Sequence, residues 1–169
     1  MKTLAEYTSA ALMVSELGAK TADLAISELC ELLQREGCLS DSKPFYHAVM
    51  KRERLGSTVM ARGWALPHAR LEGLPQLRFA LGRSSHPLLW AGADGSGVQL
   101  VFLFAIPESE AMAYLNVIAA IARLNQIPTL IDQLLRARDR QTMLTIFKQV
   151  PVVVGALAGT ASRSARKNF

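Results

Sequence analysis

The run Val98-Gln99-Leu100-Val101-Phe102-Leu103-Phe104-Ala105-Ile106 constrains the fold of this chain more than any other stretch. All of it but Gln99 is apolar, and β-branched and aromatic residues dominate. That pattern reads as a strand buried on both faces. A bilayer span needs roughly 18 consecutive apolar residues. Neither this run nor Pro151 to Ala158 approaches that length, so no membrane span is expected. A strand buried on both sides needs other elements to cover it, and the rest of the chain supplies them.

Leu12-Met13-Val14 is a short strand candidate, and Leu77, Phe79 and Leu81 alternate with Arg78 and Ala80 like a half-buried strand. From Thr21 to Glu36, Leu24, Ala25, Leu29, Leu32 and Leu33 recur at helical spacing until Gly37 stops them. Asp41 or Ser42 caps a second helix, with Pro44 in its first turn. Phe45, Ala48, Val49 and Arg52 follow at i, i+3, i+4 and i+7, which puts Arg52 near its C-terminal end. Three more helices are expected: Met112 to Leu124 with Leu115, Ile118, Ala119 and Ala122 on one face, Thr129 to Arg136, and Asp139 to Gln149, capped by Asp139. Strands interleaved with helices predict a single-domain α/β sandwich. Residues 1–150 form that domain, and 151–169 are expected to be a basic, flexible tail.

With 169 residues, half of them hydrophobic and 20% charged, the chain has about one domain's length and enough apolar side chain to fold. Its net charge of +5 includes Arg163, Arg166 and Lys167, so 5 − 3 leaves +2 for the body. That balance does not mark a DNA-binding domain, although the tail on its own reads as a modest contact for nucleic acid or anionic lipid. Cys30 falls on an apolar helix face, and nothing points to an oxidising compartment, so both it and Cys38 are read as reduced thiols. The N-terminus carries Glu6 and lacks an apolar signal core, which makes the cytoplasm the expected location. There is no His-x-x-His, Cys-x-x-Cys, acidic cluster or P-loop, so neither a metal nor another cofactor, nor ATP, is expected.

From Leu55 to Arg70 the pattern is neither helical nor alternating, and it reads as a loop with a short strand inside. It holds one of three histidines, His68, in Gly63-Trp64-Ala65-Leu66-Pro67-His68-Ala69-Arg70, where Pro67 fixes the backbone just before the imidazole. By local chemistry alone such a histidine is a nucleophile, base or ligand, or an ordinary hydrogen-bonded side chain. His47 and His86 read as structural or solvated.

Arg52-Glu53-Arg54-Leu55-Gly56-Ser57-Thr58, followed by Trp64-Ala65-Leu66-Pro67-His68, resembles the enzyme IIA domains of the mannitol and fructose class of the phosphoenolpyruvate-dependent phosphotransferase system, including the nitrogen-regulatory enzyme IIA. Asp94-Gly95, Val98 to Phe104, Pro107, Tyr114-Leu115 and Gly37 to Phe45 extend the likeness over roughly Met13 to Gln149. The resemblance implies a mixed sheet flanked by helices and a phosphotransferase in which His68 accepts a phosphoryl group from phospho-HPr. It also implies onward transfer to a sugar permease domain or a regulatory protein. A neutral imidazole attacks phosphorus without first losing a proton, and the remaining task is to position and stabilise charge on the equatorial oxygens. Arg52 would face that charge, and Ser57, Thr58 and Tyr114 would donate to phosphoryl oxygens. As a free-standing chain it looks more like the regulatory, nitrogen type than part of a fused transporter.

Two departures stand out. Tyr114 occupies the position where the family usually has a second histidine, and a phenol with an ordinary pKa near 10 donates a hydrogen bond but does not titrate like imidazole. Trp64 and Arg62 replace smaller residues, which would alter the docking partner. These leave a second reading open: a non-catalytic interaction module with a degenerate site, binding its partner through the surface around Trp64.

Overall fold

The computed structural model describes residues 1–155. The polypeptide passes through β1 (Met13–Val14), α1 (Ala22–Arg35), α2 (Ser42–Leu55), β2 (Val59–Met60), β3 (Trp64–Ala65), β4 (His68–Leu71), β5 (Arg78–Leu88), β6 (Val98–Pro107), α3 (Ala111–Leu124), α4 (Pro128–Arg136) and α5 (Arg140–Phe147). The strands form one mixed sheet in the order β1-β5-β6-β3-β2, with β4 also paired to β6. β6 is the central strand that its apolar run predicts. It runs antiparallel to β5 and parallel to β3 and β4, and from Leu100 to Pro107 it is fully covered.

The alternation along β6 divides the core. Leu100, Phe102, Phe104 and Ile106 join Phe79, Leu81 and Trp64 in a cluster roofed by α3, α4 and α5. Val101, Leu103 and Ala105 join Ala65, Ala69 and Ala80 on the opposite face, under α1 and α2. Successive side chains of a strand point to opposite faces, so one strand serves both layers. The asymmetry follows from residue size: rings fill the first layer, with Phe79 edge-on to Phe147 at a centroid distance of 5.6 Å. Alanines line much of the second and admit α1 and α2.

The segment from Leu55 to Arg70 holds three strands where the sequence predicts one. β2 and β3 form a short antiparallel hairpin, and β3 and β4 both lie parallel to β6. Ala65 pairs with Val101 and His68 with Phe104, the same offset of 36, so β3 and β4 are one strand interrupted at Leu66-Pro67. Pro67 has no N–H to give the ladder, but its carbonyl accepts from the Phe104 N–H at 3.0 Å. His68 is therefore a strand residue, and strands this short carry too few residues to show an alternation.

The other corrections concern faces. In α1, Ala25, Leu29, Leu32 and Leu33 are buried as expected and Cys30 with them, but Leu24 is 54% exposed. In α3 the buried stripe is Tyr114, Val117, Ala120, Ile121 and Leu124, whereas Leu115, Ile118, Ala119 and Ala122 are only partly covered. α3 carries apolar residues all round, so periodicity alone does not choose its inner face. Trp64 is fully buried, 5.2 Å from the Phe102 ring, and presents no surface to a partner. β5 runs on to Leu88, well past Leu81, with an irregularity between Arg83 and Leu88. Pro151 and Val152, placed by the sequence in the tail, pack on the body, where the Val152 N–H donates to the Lys2 carbonyl at 2.8 Å. Val153 and Val154 are exposed, and residues 156–169 of that expected tail lie outside the described residues. Among the described residues no helix is long and apolar enough to cross a membrane.

Candidate active site around His68

β4 brings His68 to the edge of the sheet, and α2, which contacts β4, brings Arg52 beside it. The sequence places that arginine through simple helix logic. Asp41 caps α2 by accepting from the Lys43 N–H at 3.0 Å, and the apolar residues Phe45 and Val49 lock the buried face. Arg52 then falls one turn beyond Ala48. Ala48, Arg52, His68, Ala69 and Arg70 line a single open cavity.

The imidazole is oriented by its own backbone. His68 Nδ1 lies 3.0 Å from the Leu66 carbonyl oxygen. A carbonyl only accepts, so Nδ1 carries the proton and the lone pair belongs to Nε2. Burial holds the ring's pKa below the usual imidazole value. The Leu66 carbonyl and Glu53 oppose that shift, while the positive charges of Arg52 and Arg70 reinforce it. The ring is thus a half-buried, neutral Nδ1–H imidazole beside two guanidinium groups, an arrangement whose chemistry suits attack on an anionic electrophile.

Tyr114, on the first turn of α3, stands over this ring. The two ring centroids are 5.5 Å apart at 39°, and Tyr114 is itself edge-on to Phe104. Burial pushes its phenol up to about 12, against the pull of Arg52 and Arg70. It stays protonated at any physiological pH and offers an O–H donor rather than a charge.

Ser57 and Thr58 are used differently from the expectation. The Ser57 hydroxyl donates to the Ala91 carbonyl at 2.6 Å, and the Thr58 hydroxyl donates to Glu53 Oε2 at 2.8 Å. Glu53 also accepts from the Thr58 N–H and from Trp90 Nε1, at 3.0 and 2.9 Å. These hydroxyl protons hold the loop after α2 in place. The Leu66 N–H in turn donates to the Thr58 carbonyl at 3.2 Å, so this loop props the Leu66-Pro67 break that orients His68. Arg52 Nη1 donates to the Gly56 carbonyl at 3.0 Å, which fixes the guanidinium and leaves its other N–H groups unspent.

Two participants escaped the sequence reading. Arg70 shares a strand face with His68, a relation that follows at once from period two when residues 68–71 are read as a strand. Glu53 is the hub of the supporting loop, and its role depends on Trp90, distant in sequence and carrying no local signal. Among the described residues no group of three His, Cys, Asp or Glu side chains is placed to hold a metal ion.

The comparisons fit this geometry. The 2-O-alpha-mannosyl-D-glycerate-specific EIIABC component of the Escherichia coli phosphotransferase system is 40% identical over 88 residues, which cover 52% of this chain and 13% of that protein. A nitrogen regulatory protein of Bradyrhizobium diazoefficiens is 30% identical over 111 residues, 66% of this chain and 72% of that protein. The crystal structure of nitrogen regulatory protein IIA-Ntr from Neisseria meningitidis superposes with a TM-score of 0.78 at 25% identity, covering 85% of this chain and 98% of that one. IIA mannitol from Escherichia coli, at 18% identity and a TM-score of 0.70, shares the fold. The model of the phosphoenolpyruvate-dependent sugar phosphotransferase system EIIA 2 family matches residues 6–150, and the chain belongs to that family.

Proposed function

We propose that this chain is a phosphohistidine carrier, that His68 Nε2 accepts the phosphoryl group from a phospho-HPr-like donor, and that it acts in the cytoplasm. The observation that carries the reading is the Nδ1–H donated to the Leu66 carbonyl, which leaves the Nε2 lone pair free on a ring that lines one cavity with Arg52 and Arg70. As the new P–N bond forms and the donor's bond to phosphorus breaks, positive charge spreads over the imidazole. The hydrogen bond from Nδ1 to Leu66 then becomes charge-assisted and strengthens. The two arginines meet the equatorial oxygens, and the Tyr114 phenol adds a neutral donor. Onward transfer reverses these steps. It goes to a permease domain or ends in a regulatory contact; IIA mannitol has been seen in complex with phosphorylated enzyme IIB.

The nitrogen-type regulatory role is the favoured specialisation, supported by the likeness to nitrogen regulatory proteins over 72% and 98% of their lengths. Incubation with enzyme I, HPr and phosphoenolpyruvate should add one phosphate to the intact mass at neutral to alkaline pH, and His68→Ala should abolish the gain. Tyr114 in place of an imidazole favours a second reading, an interaction module that is not phosphorylated. A folded wild-type sample that gains no phosphate would establish that reading instead.

A further inference from the structure

Every group that the proposed transfer calls on at the accepting end comes from this one chain. The Nδ1–H donated to the Leu66 carbonyl leaves Nε2 with its lone pair, so no proton has to leave the ring before attack. Arg52 is held in advance by the bond from Nη1 to the Gly56 carbonyl at 3.0 Å, and exposed Arg70 makes no ion pair among the described residues. A docked donor protein is not needed to complete the positive charge around phosphorus. The other two residues of the cavity, Ala48 and Ala69, are small and leave it open. Its volume is about 390 Å³, within the roughly 300–1,000 Å³ of small-ligand pockets.

What the surroundings of His68 do not offer is an acid. The charged and titratable groups that bear on the ring are Arg52 and Glu53 on α2, Arg70 on β4 and Tyr114 on α3. A guanidinium does not give up its proton in a protein. Glu53 spends both oxygens accepting from the Thr58 N–H, the Thr58 hydroxyl and Trp90 Nε1. Burial pushes the Tyr114 phenol up to about 12, which makes it a hydrogen-bond donor but a poor source of protons near neutrality. Such a site suits a donor whose leaving group departs as a stable anion. A carboxylate meets that condition and an alkoxide does not.

We infer that His68 is also phosphorylated directly by small acyl phosphates, the mixed anhydrides of a carboxylic acid and phosphoric acid. Nε2 forms the P–N bond as the P–O bond to the acyl group breaks, and the electron pair of that bond leaves with the carboxylate. The Nδ1 proton stays on the ring, so the products are phosphohistidine and a free carboxylate anion. Arg52 and Arg70 meet the phosphoryl oxygens, and the acyl group needs only the space beside Ala48 and Ala69. The inference rests on the phosphocarrier reading, and the test separates the two. The protein is incubated with acetyl phosphate alone and, in parallel, with enzyme I, HPr and phosphoenolpyruvate, and the intact mass is followed. Acetyl phosphate should add one phosphate, and His68→Ala and His68→Gln should each abolish the gain. Arg70→Ala should slow it at least tenfold, with partial recovery in Arg70→Lys. The rate should stay level between about pH 7 and 9, because no acid takes part. A rate that falls across that range would overturn the inference. So would a gain of one acetyl group in place of a phosphate, which reports attack at the carbonyl carbon, or a phosphate gain that persists in both His68 variants. Phosphate gained from the HPr arm but not from acetyl phosphate would overturn the direct-donor inference alone. No gain in either arm, with a folded sample, would overturn the phosphocarrier reading and this inference with it.

Discussion

At the scale of single residues, His68 is defined by what its two nitrogens face. Because burial and the neighbouring arginines depress its pKa, the folded protein binds the ring proton more weakly than the unfolded chain does. The unfolded state therefore holds more protons just below the ordinary imidazole value near 6.5, and stability rises with pH through that window. His68 contributes fully above about 6.5, and its contribution falls away on acidification. An NMR titration of the ring should give a midpoint below that of free imidazole, and Arg52→Ala should move it upward. Arg62 and Gly63 illustrate a different residue-level demand. Both have left-handed backbones at the β2–β3 turn, with φ of 68° and 69°. A Cβ at Gly63 would lie 2.8 Å from the Gly97 carbonyl oxygen. Arg62→Gly should stabilise the protein by about 0.5–1 kcal/mol, since a side chain is disfavoured in that region. Gly63→Ala should destabilise it, and urea unfolding measures both. The sequence flagged Arg62 as out of place, but only the backbone angle supplies the reason.

Elements were legible in proportion to the length of their repeating pattern. β6 and α2 were placed correctly from local residues, because each carries a long patterned run between clear stops. β2, β3 and β4 were missed as separate strands: at two to four residues each, their existence depends on pairing with β6 rather than on alternation. The inner face of α3 was misassigned because its sequence is apolar all round, and the sheet decides which side is covered. The consequences for the site are uneven. Helix spacing placed Arg52 near the end of α2 and the family resemblance supplied its expected role, while the position of Arg70 beside His68 went unread with β4, and the acceptors of the Ser57 and Thr58 hydroxyls, Ala91 and Glu53, become visible only in three dimensions. A prediction belonging to this scale concerns α2 as a positioning device. Asp41→Ala removes the N-cap and should cost about 1 kcal/mol in urea unfolding. The phosphorylation rate of the remaining folded protein should be unchanged, because Arg52 lies at the other end of the helix.

For the molecule as a whole, one central strand serves two unequal layers, and the site sits at the sheet edge where they meet. The aromatic layer under α3 to α5 supplies Tyr114, and the alanine-lined layer under α1 and α2 supplies Arg52. Ala80→Leu should therefore strain the tight layer and destabilise the fold by about 1–3 kcal/mol, as overpacking does, with urea unfolding as the readout. The α/β class was legible because it depends only on the order of elements. The mixed topology came from the family resemblance, since the direction of a two-residue strand is not written in its own residues. The central claim is that the backbone reserves Nδ1 and leaves Nε2 to react. It is tested most directly by phosphorylating the protein with ¹⁵N-labelled histidine and reading which nitrogen couples to ³¹P. Phosphorus on His68 Nε2, with the proton retained on Nδ1, is the predicted result; phosphorus on Nδ1, on another residue, or on none would contradict it.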